Sequence, residues 1–260
     1  MRRTIAAALL ALDLVAGVVA GHPSSASARL ADRSRGPDSG STLAPGHVSA
    51  ADAKVNPRQQ GYVVLRPAPG HELILRSSPG GPVIARLGER TEFGSPQTVA
   101  VVRKRGRWFG VVTTHAPNGR LGWVDTRVGG LRYSGTRLNL VLDLSDRRLV
   151  LRSDRRVIRR MSVGVGRPAS PTPVGRFAIT DKLSGPAFSS YYGCCILALS
   201  AHQPYLPAGW GGGDRIAIHG TYDLGSIGAA STAGCVRAEA VDLNLLMRRV
   251  PLGTPVFIHA

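Results

Sequence analysis

The apolar residues of this sequence fall into short runs that turns interrupt, and this pattern constrains the fold more than any other feature. Leucine occupies every second position from residue 138 to residue 144, so one face of an extended strand is apolar. Residues 145–148 supply a turn and residues 149–151 return as a second apolar run, which predicts a β-hairpin. Further short runs follow at 177–179, 216–218 and 256–258. The sequence therefore predicts a mainly β protein.

Residues 61–129 contain several such runs separated by glycine, which predicts a small all-β barrel or sandwich. Three motifs stand out: "LRSSPGGPVIARL", the Arg-Trp-Phe of 107–109, and the Gly-Trp-Val of 122–124. With these motifs, residues 61–130 resemble a bacterial SH3-like domain. The resemblance implies a module that binds wall peptidoglycan. The alternative is a positioning domain in which Trp108 and Trp123 are core residues.

Residues 136–260 form a second β-rich unit with one convincing helix at 238–249. In this segment Val241 and Leu245 lie four residues apart, acidic residues come early and arginines come late, as the helix dipole favours. The Gly-Thr-Pro of 253–255 then turns the chain into a last strand. We expect a small β-barrel followed by a β-rich domain with one or two short helices.

The N-terminal residues predict export. Arg2 and Arg3 precede a mostly apolar stretch, and Ala26-Ser27-Ala28 offers a small-residue cleavage site, so residues 1–28 are predicted to be a secretory signal peptide. Residues 29–60, rich in small residues and proline, are predicted to be a flexible linker. No later segment has the roughly 18 consecutive apolar residues of a spanning helix. We expect a mature chain without a transmembrane span, secreted to the periplasm or cell wall.

The formal net charge of +17 makes an anionic polymer or a nucleic acid a candidate partner. Of the 33 basic residues 30 are arginine, and they are scattered through strands and turns rather than gathered on one helix. Export also removes most access to nucleic acid. We therefore expect contact with anionic cell-wall polymers and no nucleic-acid partner.

Three cysteines in an exported chain cannot all pair within it. Cys235 is our candidate for the unpaired thiol. Cys194 and Cys195 are neighbours in sequence, and buried thiols, a bridge between them and an intermolecular bridge all remain open.

His219 and Cys235 carry the most distinctive chemistry. His219 ends a predicted strand and Cys235 precedes the predicted helix, whose positive end favours a thiolate. A histidine in reach can take the thiol proton, hold an ion pair and assist acyl transfer. Gly234 permits a tight turn, and its N–H and that of Cys235 could form an oxyanion hole. The competing interpretation is a buried apolar cysteine and a satisfied core histidine.

Four sequence motifs contain or flank these two residues: "VGVGRPASPTPVGRFAI", "IHGT", "IGAASTAGCVR" and "GTPVFI". With them, residues 136–260 resemble the L,D-transpeptidase catalytic domain, also called the YkuD domain. The resemblance implies that Cys235 is the nucleophile and His219 the general base. It also implies that the backbone carbonyl of Gly220 orients His219. Ala233 departs from the family pattern, which commonly has a second histidine there.

The resemblance also implies substrate-binding residues. Thr232 and Arg237 match the family motif; Arg237 would hold a substrate carboxylate or, alternatively, pin the loop by pairing with an internal acid. The Gly- and Pro-rich segment before His219 forms a lid in the family. It contains the aromatic residues Tyr191, Tyr192, Tyr205 and Trp210, of which Tyr205 and Trp210 are predicted to contact the substrate. Neither a metal nor another cofactor is expected, because the histidines and cysteines lack ligand spacing.

The implied function is a cysteine acyltransferase (EC 2.3.2.-) of peptidoglycan biosynthesis. It would form 3→3 cross-links between donor and acceptor stem peptides through a thioester, with release of D-alanine. One alternative is an L,D-carboxypeptidase, in which water replaces the acceptor amine. Another is a catalytically silent wall-binding protein. A papain-like or NlpC/P60-type hydrolase is disfavoured because its cysteine would precede its histidine.

Overall fold

The computed structural model describes residues 61–206 and 213–260, and these residues are mainly β, as predicted. The predicted signal peptide, the predicted linker and Trp210 lie outside the described residues. No helix in the described part of the chain is long and apolar enough to cross a membrane.

A seven-stranded sheet forms the first half of the described chain, with strand order β3-β2-β6-β5-β4-β1-β7. Its strands are β1 (Tyr62–Pro67), β2 (Leu73–Arg76), β3 (Val83–Leu87), β4 (Val99–Arg105), β5 (Trp108–Val111), β6 (Gly122–Asp125) and β7 (Leu131–Thr136). Leu65, Leu73 and Val111 are fully buried in its core. Trp123 is also buried, whereas Trp108 is half-buried. The sheet continues to residue 136 because β7 pairs with β1 along its whole length. Its assignment as an SH3-like domain stays a prediction.

An eight-stranded sheet forms the second half, with order β10-β9-β8-β17-β12-β13-β14-β16. Its strands are β8 (Leu138–Asp143), β9 (Arg148–Ser153), β10 (Arg156–Ser162), β12 (Gly175–Ser184), β13 (Cys195–His202), β14 (Arg215–His219), β16 (Val236–Arg237) and β17 (Pro255–His259). A separate parallel pair joins β11 (Val165–Gly166) to β15 (Ala230–Thr232). Both sheets belong to one compact unit.

The predicted hairpin is confirmed: β8 and β9 pair antiparallel from Leu138↔Ser153 to Asp143↔Arg148. Its turn is held by the Asp143 carboxylate, which accepts from the Ser145 hydroxyl at 2.7 Å and from the backbone N–H of Asp146 at 3.0 Å. Aspartate commonly closes a turn in this way. The alternating leucines 140 and 142 are fully buried, so the alternation correctly identified the core face.

The one α-helix among the described residues, α1, spans Ala240–Arg249 and lies within the predicted segment 238–249. Its buried apolar residues are Leu243 and Leu246, while Val241 is 62% exposed. The buried face therefore differs from the one that the Val241 and Leu245 pair indicated. The helix packs on the second sheet through Leu243 and Leu246, which belong to the core of that sheet.

Loops of the first sheet are hydrogen-bonded to the second. The hydroxyl of Thr91 donates to the buried carboxylate of Asp181. Asn118 makes two bonds to His202: its amide nitrogen donates to the His202 carbonyl at 2.7 Å, and its amide oxygen accepts from the His202 N–H at 3.0 Å. A side-chain amide that reproduces both bonds of a strand partner fixes these loops against β12 and β13.

Candidate active site

His219 and Cys235 are brought together by a pair of parallel strands. His219 is the last residue of β14, and Cys235 directly precedes β16. The two strands pair in parallel with Ile218 opposite Val236 and His219 opposite Arg237. His219 is 1% exposed and Cys235 is 3% exposed. Residues sixteen positions apart in sequence thus lie at the end of one strand and directly before its parallel neighbour, and both are buried.

Cys235 does not lie at a helix N-terminus, contrary to the expectation from sequence. Strand β16 and Ala238 separate it from Glu239, the N-cap of α1. The influence of a helix dipole falls off within the first turn, and Cys235 is not part of that turn. Its sulfur lies 4.0 Å from the backbone carbonyl of Arg215.

His219 is held in one tautomer. Its Nδ1 lies 2.6 Å from the carbonyl oxygen of Gly220. A carbonyl only accepts hydrogen bonds, so Nδ1 carries the proton and, in the neutral ring, Nε2 has the lone pair. Burial lowers the pKa of His219 to about 4; the bond to Gly220 opposes this shift, and the charge of Arg237 adds to it. The imidazole is therefore neutral near pH 7, and the expected ion pair with a thiolate is disfavoured in the resting site.

The turn before Cys235 is fixed by Thr232. Its hydroxyl donates to the carbonyl of Cys235 at 2.6 Å and accepts from the N–H of Gly234 at 3.1 Å. Thr232 is 1% exposed, and these two bonds shape the turn; its role in substrate binding stays a prediction. The Gly234 N–H is already used in this bond, which argues against the expectation that it serves an oxyanion hole.

Gly234 is required by geometry. Its φ is +121°, and an added Cβ would lie 2.0 Å from the amide nitrogen of Gln203. That nitrogen donates to the carbonyl of Ala233 at 2.7 Å and to that of Pro171 at 3.2 Å. Gln203 thereby holds the position at which the family pattern commonly has a histidine. The sequence carried no signal for Gln203, because its partner lies 30 residues away.

Arg237 is buried and bound within the protein. Its guanidinium lies 3.4 Å from the Asp223 carboxylate, donates to the Tyr191 hydroxyl, and stacks 5.3 Å from the Tyr191 ring centre. Of the two roles considered for Arg237, these contacts favour pairing with an internal acid. They hold the Asp223 loop beside β16.

Two tyrosines of the predicted lid lie beside His219. The ring centres of Tyr191 and Tyr192 are 5.8 Å and 5.1 Å from that of His219, and the Tyr192 ring is perpendicular to the imidazole. Burial raises the pKa of Tyr192, and the charge of a Cys235 thiolate raises it further. Tyr192 and Cys235 also share one buried cluster. Tyr205, in contrast, is 62% exposed and is bound through its backbone N–H to Gln203.

Arg215, which the sequence did not single out, anchors the start of β14. It is 5% exposed, and its Nη2 donates to the Thr180 hydroxyl and the Leu199 carbonyl, both at 2.8 Å. Its Nη1 forms an ion pair with Glu92 of the loop that joins β3 to β4 in the first sheet. Because the carbonyl of Arg215 faces the Cys235 sulfur, this network connects the first sheet to the site.

Cys194 and Cys195 are joined to each other by a disulfide, which leaves Cys235 as a thiol. The carbonyl of Cys195 accepts from the N–H of Gly220 at 3.1 Å, so a cysteine of the disulfide is hydrogen-bonded to the residue that follows His219. Within the described residues, no three His, Cys, Asp or Glu side chains group as a metal site would require.

Comparison with known proteins finds a family profile and a curated relative that are similar to the second half of the chain. Residues 139–258 match the sequence profile of the L,D-transpeptidase catalytic domain, YkuD, which confirms the resemblance predicted for this part of the chain. A Bacillus subtilis protein assigned as the L,D-transpeptidase YkuD is 31% identical over 123 residues, 46% of this chain and 65% of that protein. The chain thus spans slightly less than two thirds of that relative.

Two solved structures are similar to parts of the chain. An L,D-transpeptidase from Mycobacterium smegmatis is 19% identical, with a TM-score of 0.36 over 59% of this chain and 67% of that one. L,D-transpeptidase 3 from Mycobacterium tuberculosis is 12% identical, with a TM-score of 0.41 over 68% of this chain and 72% of that one.

Proposed function

We propose that this chain, whose residues 139–258 match the sequence profile of the L,D-transpeptidase catalytic domain, is a peptidoglycan L,D-transpeptidase that acts through a thioester on Cys235. The observation that carries the proposal is the bond of 2.6 Å from His219 Nδ1 to the Gly220 carbonyl. It leaves Nε2 as the proton acceptor on the strand next to Cys235. Gly220 thus performs the orienting role that an aspartate performs in other triads.

In the first half-reaction, Nε2 of His219 takes the thiol proton as the Cys235 sulfur attacks the carbonyl of the third stem residue. Because burial lowers the pKa of His219, a neutral imidazole is available to accept this proton. We assign the backbone N–H of Cys235 as the oxyanion donor. The imidazolium then protonates the departing D-alanine amine, and the C–N bond breaks to leave a thioester.

In the second half-reaction, a side-chain amine of a neighbouring stem attacks the thioester. His219 accepts the amine proton, the C–S bond breaks, and the proton returns to the sulfur. The product is a 3→3 cross-link, with one D-alanine released per bond formed. Attack by water instead of the amine gives the L,D-carboxypeptidase reaction, which is the second candidate.

Substrate contacts and location are part of the proposal. Tyr191 and Tyr192, whose rings flank His219, are our choice for the wall of the substrate channel. Tyr205, being 62% exposed, is available to contact a stem from outside. Export through residues 1–28, a linker at 29–60 and an SH3-like domain at 61–130 would place the catalytic domain at 136–260 within the wall.

The test is to incubate the full chain with defined tetrapeptide stems and identify the products by mass spectrometry. We expect a dimer lacking one D-alanine. Cys235→Ala should abolish both dimer and tripeptide, because the nucleophile is removed, whereas Cys194→Ala should retain turnover. If tripeptide is the only product even with abundant acceptor amine, the carboxypeptidase assignment replaces the transpeptidase assignment. Turnover by Cys235→Ala would overturn both.

A further inference from the structure

A cavity of about 820 Å³ opens beside the first sheet, away from the residues of the candidate active site. Four arginines line it: Arg103 and Arg105 of β4, Arg120 of the loop before β6, and Arg176 of β12. We call it the arginine groove. Because Arg176 belongs to the second sheet, both sheets contribute to its wall.

The charge of the arginine groove is not compensated within the described residues. No Asp or Glu lines it, and none of its four arginines forms an ion pair with a described residue. Elsewhere on the same sheet, Arg86 pairs with Glu72 at 3.6 Å and Arg107 pairs with Asp125 at 3.1 Å. Four like charges around one cavity repel one another unless an anion enters it.

The chain itself supplies no suitable anion. Its net charge is +17, so a second copy would be repelled. Residues 21–60 contain five Arg or Lys and three Asp, a net charge of 5 − 3 = +2, and they offer no acidic segment to fill the groove. The complementary occupant is therefore an external anion.

The other residues that line the arginine groove indicate which class of anion it binds. Ile84, Val102 and Leu121 contribute apolar surface, which suits aliphatic side chains better than a wholly hydrophilic phosphate polymer. Trp123 lines the groove too, but it is only 6% exposed and lies under the Arg105 guanidinium at 5.4 Å. It offers no open ring face on which a nucleotide base could stack.

We propose that the arginine groove binds a short peptide bearing two or more carboxylates, the chemistry of an uncross-linked peptidoglycan stem. Guanidinium groups match carboxylates bidentately, and a cavity of this volume accommodates a ligand of a few residues. The identification with a stem rests on the proposed function. Its effect would be to keep a wall strand bound while Cys235 acts on another stem.

The test measures binding without turnover, in the full chain carrying Cys235→Ala. A fluorescein-labelled tetrapeptide stem with free carboxylates is titrated by fluorescence anisotropy, alongside the same stem with its carboxylates amidated. We expect Arg103→Gln and Arg176→Gln each to weaken binding of the free stem about tenfold. The matched control Arg86→Gln, which removes an exposed and already paired arginine, should change it less than about twofold. Amidation should reduce affinity to the level of the groove variants.

The binding proposal for the arginine groove would be overturned if Arg86→Gln and Arg176→Gln weakened stem binding equally. It would also be overturned if the amidated stem bound as tightly as the free stem. Tighter binding of inorganic polyphosphate or of a single-stranded oligonucleotide, with the same arginine dependence, would overturn the peptide assignment. All substituted arginines are exposed, and circular dichroism checks that each variant is folded. If stem binding depends on the groove arginines but the wild-type protein shows no turnover, only the proposed reaction is contradicted. Turnover without such binding would count against the groove alone.

Discussion

His219 should make the stability of this protein depend on pH in a way that a single substitution removes. Burial lowers its pKa from 6.5 to about 4, so between these values the unfolded chain binds a proton that the folded chain excludes. Stability is therefore lost as the pH falls from 6.5 towards 4 and is fully present above that range. At 1.36 kcal/mol per pKa unit, the difference amounts to about 3 kcal/mol.

The perturbation is His219→Asn, and the assay is urea unfolding at several pH values from 7.5 to 4. Asparagine keeps an N–H donor for the Gly220 carbonyl but does not titrate. We expect wild type to exceed the variant in stability by a constant amount above pH 7. That excess should shrink by about 3 kcal/mol by pH 4. The control His71→Asn, which removes an exposed histidine, should leave the wild-type pH dependence unchanged.

A stability difference between wild type and His219→Asn that stays constant within about 1 kcal/mol from pH 7.5 to 4 would refute the reasoning. It would mean that the imidazole is not held neutral by burial. The proton transfer proposed for the thiol would then lose its basis, because a protonated His219 could pair with a thiolate before substrate arrives.

Two further substitutions test the supports of the site. Gly234→Ala should destabilise the protein by about 1–3 kcal/mol more than Gly228→Ala, as measured by thermal or urea unfolding. Both glycines have positive φ, but only Gly234 faces a close neighbour, Gln203. Equal losses of stability in the two variants would contradict this close contact. Glu92→Gln should lower the free energy of unfolding by about 1–2 kcal/mol, because it leaves the buried Arg215 without its carboxylate partner. It should also change the rate at which iodoacetamide alkylates Cys235, whose sulfur faces the Arg215 carbonyl. An unchanged alkylation rate would mean that the first sheet does not influence the nucleophile.

The helix shows how far sequence reasoning reaches. Its approximate span followed from charge placement and its flanking turns, and α1 indeed lies within 238–249. Its buried face did not follow, because Val241 and Leu245 form as plausible an apolar pair as Leu243 and Leu246. Which pair is buried depends on the surface that the second sheet offers, and that surface is built from distant strands.

The features of the candidate site also fall into those that the sequence predicted and those that only the structure showed. The sequence by itself determined the mainly β class, the 138–151 hairpin and the choice of His219 and Cys235 as chemically distinctive residues, because these depend on residue type and local spacing. Only the tertiary structure decided that the Gly234 N–H bonds to Thr232, that Gln203 supports Ala233, and that Arg237 pairs with Asp223. It also lowered the pKa of His219, since burial arises from strands far away in sequence. Local spacing can select reactive side chains, but desolvation and long-range hydrogen bonds set their chemistry, and both exist only once the sheets have formed.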